Sequence, residues 1–235
     1  MEISSTELML WVISGLSLVA WLYLWLFRGG FWRADQRLEA IELGANAPGV
    51  MVIIPARDEA DVITKSLTSL LKQDYPGPLS IFLVDDNSSD DTAAIGKIAA
   101  EKVDMSNSLT LISGASLPPG WVGKMWAVQQ GLDVAMSKDQ SSEYIFFTDA
   151  DIHHSESNLR QLVAKANSDQ LDMVSLMVKL KCASFWDWLL IPAFVFFFQK
   201  LFPFLPPVDL SRVWLVIYPI HLHSSEASTR SRRFW

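Results

Sequence analysis

Val50-Met51-Val52-Ile53-Ile54-Pro55-Ala56-Arg57-Asp58-Glu59 decides the fold: five unbroken apolar residues run through a proline and an alanine into three charged ones. A strand with one wet face alternates polar and apolar residues. A strand buried on both faces does not, and such strands belong to parallel sheets covered by helices. The residues that follow agree. Ile63, Leu67, Leu70 and Leu71 repeat at helical spacing, and Tyr75-Pro76-Gly77-Pro78 stops the pattern. Ile81–Val84 predicts a second strand, and Asp91–Lys102 a helix with Ile95, Ile98 and Ala99 inward. Leu109–Ile112 predicts a third strand, followed by a loop holding Pro118-Pro119-Gly120. Residues 123–136 read as a helix with Met125, Val128, Leu132 and Met136 on one side. Tyr144–Thr148 is a fourth strand; Leu159, Leu162, Val163 and Ala166 mark another helix, and Met173–Val178 a fifth strand. Strands alternating with helices give an α/β fold, an open and mostly parallel sheet flanked by helices.

Ligands of such sheets bind beyond the carboxyl ends of the strands. Three polar clusters fall there: Pro55–Glu59 after the first strand, Asp85-Asp86-Asn87-Ser88-Ser89-Asp90 after the second, and Asp149-Ala150-Asp151 after the fourth. Extended chain points alternate side chains to one side, so Asp149 and Asp151 can share a direction. Their oxygens suit Mg²⁺ or Mn²⁺, ions that commonly also bridge a diphosphate. The second cluster has a plainer explanation, because Asp, Asn and Ser cap helices and make turns, and Ser89 or Asp90 is expected to cap. Two adjacent acids at a buried strand end exceed what a cap needs. Lys124 follows Gly120-Trp121-Val122-Gly123 at a helix start, where it is either a cation for phosphate or an ordinary solvated lysine. His153 and His154 read as surface residues at the start of a helix rather than as metal ligands.

Two nucleotide motifs are excluded. No Gly-x-Gly-x-x-Gly follows the first strand, and the position five before Gly123-Lys124 is Pro118 where a phosphate loop has glycine. The formal charge of −7 and pI near 5.0 argue against nucleic acid as a partner. One cysteine, Cys182, excludes an internal disulfide and a cysteine-based zinc site, and its thiol reads as a buried small apolar residue.

The apolar run Leu8–Phe27 is long enough for a helix that spans a bilayer core of about 30 Å. A cleavable signal peptide is the competing reading, but Glu2, Glu7 and the bulky Trp25-Leu26-Phe27 argue against it. Arg28, Arg33 and Arg37 follow the run with no basic residue before it, which predicts an inner, cytoplasmic membrane protein whose bulk faces the cytoplasm. Trp188–Gln199 is uncharged but short, interrupted by Pro192, and reads as an interfacial or re-entrant helix.

The blocks Val52–Glu59, Val84–Thr92, Gly123-Lys124-x-x-Ala127 and Thr148–Asp151 resemble, in order, those of family 2 glycosyltransferases of the GT-A fold. Leu117–Val128 and Ser184–Gln199 resemble the subgroup associated with hopanoid biosynthesis. The resemblance covers roughly residues 50–205 and implies a GT-A-like sheet with an N-terminal transmembrane helix. It implies that Pro55, Ala56, Arg57 and Glu59 line the nucleotide pocket, with Asp85 or Asp86 at the uracil or ribose. Lys124 would lie near the diphosphate. Asp149 and Asp151 would form the Asp-x-Asp metal motif, Asp149 also reaching the ribose. The implied cofactor is a divalent metal, Mg²⁺ or Mn²⁺. The implied partners are a nucleotide-sugar donor, UDP-linked by first expectation, a lipid acceptor and the membrane.

These readings divide the chain into an anchor (1–30), a linker (31–48), a nucleotide-sugar domain (49–182), a membrane-associated segment (183–205) and an atypical tail (206–235). The family's acceptor-side base comes from a later segment, and after Cys182 the acids are Asp187, Asp209 and Glu226, none in a doublet. Arg232-Arg233-Phe234-Trp235 resembles the family's Gln-x-x-Arg-Trp motif only superficially, and the tail reads as truncated or altered. The expected activity is transfer of a sugar to a lipid. The alternative is a catalytically incomplete protein that binds nucleotide-sugar or partners. A nucleotidyltransferase shares the metal and nucleotide but wants a Gly-rich basic loop absent here.

Overall fold

A strand apolar on both faces has to sit in the middle of a sheet, and β1 (Gly49–Ala56) does. It pairs in parallel with β2 (Leu79–Asp85) on one side and with β4 (Ser142–Thr148) on the other. The computed structural model describes residues 4–27, 38, 43–44, 46–176 and 178–201, and the backbone of 215–219. β3 (Leu109–Ser113) extends the sheet beyond β2 in parallel, giving the strand order β3-β2-β1-β4-β6-β5. β5 (Val174–Ser175) and β6 (Leu215–Pro219) complete it.

The two faces of β1 bury different sets. Val50, Val52, Ile54 and Ala56 join Ile81, Leu83 and Phe146 under α2 (Ile63–Leu71), α3 (Thr92–Lys102) and α5 (Asn158–Ser168). Met51, Ile53, Phe82 and Ile145 pack on the other face against Ala135 of α4 (Gly123–Lys138). The expected inward residues of α2 and α5 are all buried. Those of α3 and α4 are only partly so. Ile98 is 48% exposed and Met125 57% exposed, because small residues set the inner stripes of both helices. In α3 these are Thr92, Gly96, Ala99 and Ala100; in α4 they are Ala127, Gly131 and Ala135. The sheet lies too close for anything larger. A Cβ on Gly131 would lie 2.7 Å from Ile53 Cγ2 and 2.8 Å from Val84 Cγ2.

Four further expectations change. The fifth strand shrinks from Met173–Val178 to Val174–Ser175, with Met177 outside the described residues. Its neighbour is β6, which comes from the tail and runs antiparallel between β4 and β5. Cys182 is exposed, because it lies in irregular chain between β5 and α6 rather than under a helix. Pro192 does not interrupt α6 (Phe185–Leu201). Arg28, Arg33 and Arg37, and Pro206, Pro207, Asp209, His221, His223, Glu226 and Arg230 to Trp235, lie outside the described residues.

The chain forms two compact units, one holding α1 (Ser5–Phe27) and α6, the other the sheet with α2 to α5. α1 buries none of its side chains and, at 23 residues, is long and apolar enough to cross a membrane. Both apolar helices open on a reciprocal cap. Ser4 Oγ accepts the Glu7 N–H while Glu7 Oε2 accepts the Ser4 N–H, and Ser184 and Asp187 repeat the exchange at α6.

His154 is buried at 4% exposure, not a surface residue. Its Nε2 lies 3.1 Å from Thr148 Oγ1, its Nδ1 3.1 Å from Asn158 Nδ2, and its ring edge meets Phe146. Burial, helped by His153, pulls its pKa down to about 4.

Two predictions follow from packing and from this histidine. Gly131→Ala should destabilise the fold by about 1–3 kcal/mol in denaturant titration, since stiff β-branched neighbours outweigh the gain of about 1 kcal/mol in helix propensity. Gly96→Ala should cost less, because its nearest atom, 2.7 Å away, is the mobile Leu83 Cδ2. For His154 the folded state resists protonation, so its contribution is complete above pH 6.5 and is lost as pH falls toward 4. The slope should approach about 1.4 kcal/mol per pH unit. His154→Gln should lack this slope, so its deficit against the native chain should shrink on acidification.

Candidate functional site

Register brings the polar clusters to one rim. Ala56 stands beside Asp85, so β1 and β2 end level, and Ile53 stands beside Phe147, so β4 ends two residues short of them at the same edge of the sheet. The loops that leave them are tied to one another. Asp58, at φ 55°, accepts the Ser89 N–H at 2.6 Å and the Ser89 hydroxyl at 2.9 Å, and donates its own N–H to Ser88 Oγ. Asp90 accepts the N–H groups of Ala60 and Thr92, and the Thr92 hydroxyl accepts the Glu59 N–H. The Thr92 hydroxyl and these N–H groups hold the Asp90 carboxyl below its usual range. The cap position of α3 is Asp91, which makes no side-chain cap bond; Asp90, one residue earlier than the cap, accepts the Thr92 N–H, and Ser89 serves Asp58 instead.

The predicted site residues take different parts. Ala56 is buried in the core and its carbonyl accepts the Asp86 N–H at 2.8 Å, so it presents backbone rather than side chain to the rim. Pro55 is half-buried in the strand beside it. Asp85 accepts the Ser88 N–H at 3.1 Å and is taken up in its own turn. Asp86 is half-buried between two loops: its Oδ2 lies 3.8 Å from an Arg57 nitrogen and 3.2 Å from where a Cβ on Gly123 would stand. Glycine at 123 therefore lets the start of α4 approach Asp86.

Lys124, the second residue of α4, reaches Asp149 Oδ1 at 2.6 Å. The loop before α4 is fastened by Trp126 Nε1 donating to Ala115 O and by Gln130 Oε1 accepting the Ala115 N–H, with Gly120 at φ 85° providing the bend. After Thr148 the chain turns at Ala150 and Asp151. Thr148, Ala150 and His154 are buried, Asp149 is half-buried and Asp151 is exposed, so both acids look outward. Opposite them stands Glu59. Burial first, then the charges of Asp151 and Asp149, push its carboxyl above the usual range.

This is an acidic rim with a cation built in. Among the described residues no group of three or more His, Cys, Asp or Glu side chains is arranged to hold a metal ion. Asp149 and Asp151 offer two carboxylates one residue apart, hard oxygen donors of the kind that fits an ion completing its shell from water and phosphate, as Mg²⁺ does. The sequence reading placed His154 at the surface and did not foresee the approach of Gly123 to Asp86. The signal for His154 was the alternation of 148, 150, 152 and 154, which continues the inward positions of β4 into the loop.

Solved structures share this fold. A mannosyltransferase from Pyrobaculum calidifontis, in complex with GDP-Man and Mn²⁺, is 20% identical with a TM-score of 0.59, over 88% of this chain and 55% of its own. A mycobacterial protein is 18% identical with a TM-score of 0.51, over 80% of this chain and 61% of its own. The chain therefore spans somewhat over half the length of either. No match is found among curated proteins. Residues 51–212, the greater part of the chain, match the glycosyl transferase family 2 domain, and the chain belongs to that family.

Proposed function

We propose that the chain binds a nucleoside-diphosphate sugar, UDP-linked, together with a divalent cation, and passes the sugar to a lipid acceptor of the hopanoid type at the cytoplasmic membrane. One observation carries this reading: Asp149 and Asp151 both press on Glu59 while Lys124 pairs with Asp149 at the same strand end. Clustered carboxylates repel, and a cation among them relieves that repulsion. When bound, the ion supplies a Lewis acid that neutralises charge on the departing nucleoside diphosphate.

The remaining work falls to this chain's own groups. Asp151 and Asp149 would hold the ion, Asp149 also accepting from the ribose. Lys124, released from Asp149, offers its ammonium to a phosphate oxygen at the start of α4, where the helix dipole adds to the attraction. Asp86, oriented by Arg57, accepts hydrogen bonds from the uracil or ribose, and Pro55, Ala56 and Glu59 form the wall beside it. The lipid acceptor is supported by α1 and by the subgroup resemblance of residues 117–128 and 184–199. A second reading, donor binding without transfer, is favoured by one feature. Asp58, Asp85 and Asp90 are absorbed in turns, which leaves no assigned acceptor base among the described residues.

Calorimetry with UDP and Mn²⁺ should show binding that depends on the metal. Asp151→Ala should abolish that dependence; unchanged affinity would remove the metal assignment. Lys124→Met should weaken UDP at least about tenfold, the loss of one charge-assisted contact of about 1.5–3 kcal/mol. Turnover of labelled UDP-sugar with membrane lipid separates transfer from binding, and binding without any turnover would leave only the second reading.

A further inference from the structure

The acids of the rim are presented by a loop whose base is closed from within. His154 stands six residues after Thr148, and the two side chains meet at 3.1 Å. With the Asn158 amide nitrogen donating to Nδ1, the ring's proton sits on Nε2 and is donated to the Thr148 hydroxyl. The backbone N–H of His154 donates to Ser69 Oγ of α2 at 3.0 Å, and that hydroxyl donates to Ser66 O. Gln73, just past α2, donates to Ser155 O at 2.8 Å and accepts the Leu159 N–H at 2.9 Å. Asp74 donates its N–H to Glu156 O and pairs with Arg160 at 3.0 Å. The strand end and the segment after the turn are thus both fastened, while Ala150 is sunk in the core between them.

We infer that His154 is a positioning residue, which through Thr148 and Ser69 fixes the turn that points Asp149 and Asp151 outward. The inference rests on the donor-binding reading above. Its physical basis is the alternation of the segment: buried Thr148, Ala150 and His154 interleave with outward Asp149, Asp151 and His153. A slip of one residue would exchange the two sets and turn the carboxylates inward. A buried imidazole needs a partner for each ring nitrogen, and here the two partners lie on the segments that flank the turn, Thr148 at the strand end and Asn158 at the start of α5. Here both ring nitrogens and the backbone N–H are engaged.

The test uses the full chain in detergent with Thr148→Val, Thr148→Ser, His154→Leu and His154→Gln. Amide exchange across residues 149–153 should quicken in Thr148→Val and His154→Leu. It should return toward the native rate in Thr148→Ser, which keeps the hydroxyl, and in His154→Gln, whose amide nitrogen can reach the same oxygen. Mn²⁺-dependent UDP affinity should fall about tenfold in the first pair and recover in the second pair. A lower melting temperature with native exchange at 149–153 and native Mn²⁺ dependence would overturn the inference. Should His154→Leu fail to fold, the Thr148 pair decides by the same readouts. Absence of UDP binding in the native chain would instead refute the donor reading, and exchange at 149–153 would still settle the loop.

Discussion

The parallel register of β1 between β2 and β4 is the constraint on which the rest of the molecule depends. Pairing Ala56 with Asp85 ends β1 and β2 at one level, and pairing Ile53 with Phe147 brings the end of β4 to within two residues of it. That level is where backbone groups leave the ladder and polar side chains become affordable. Had any strand slipped by one residue, its apolar set would have faced the wrong layer, so burial on both sides enforces the alignment. The rim is a by-product of packing, and the chemistry is written onto it.

What is written divides into two kinds of acid. Asp58, Asp85 and Asp90 accept backbone N–H groups of neighbouring loops and stiffen the floor between β1 and β2. Asp86 lies between two loops, and Asp149, Asp151 and Glu59 are aimed outward or at one another. The first kind explains why the second stays in place: a loop tied at Ser88, Ser89 and Thr92 cannot relax to separate like charges. Asp90, stabilised as a carboxylate by its hydrogen bonds, and Glu59, destabilised as one, stand on the same pair of loops and show the two regimes side by side.

The fold was legible where burial acts on residue type alone. Val50–Ile54, Ile63-Leu67-Leu70 and Leu159-Leu162-Val163 could face nowhere but inward. It was less legible where distance decided. In α3 and α4 the closeness of the sheet admitted Gly96, Ala99, Gly131 and Ala135 and left Ile98 and Met125 outside, contrary to their hydrophobicity. β6 was hidden for another reason: five residues separated from β4 by more than sixty positions carry no local sign of the partner they pair with. Cys182 illustrates the limit of type-based reading, since its thiol is exposed where no helix covers it. In the site, Asp149, Asp151, Lys124 and Asp86 were legible as residue types at strand ends. The split between Asp85 in the turn and Asp86 on the rim was not, because it depends on which carboxylate the Ser88 N–H reaches. His154 was misread because a histidine after two acids looks solvated unless the inward phase of β4 is carried past its end.

The ion pair of Lys124 and Asp149 gives the clearest indication of how such a rim remains folded without a ligand. Left alone, Asp151 and Asp149 press on the Glu59 carboxyl, whose own burial adds to the cost. A lysine at 2.6 Å offsets part of that cost, although more than half of its side chain remains exposed and solvent weakens the attraction. The same exposure is an advantage for binding. A buried pair would hold the lysine fast, whereas under the proposed function a solvated one would exchange its carboxylate for a phosphate while the acids took up a cation. Local instability at the rim and readiness to bind a charged ligand are therefore one property, supported by a core that has no part in the chemistry.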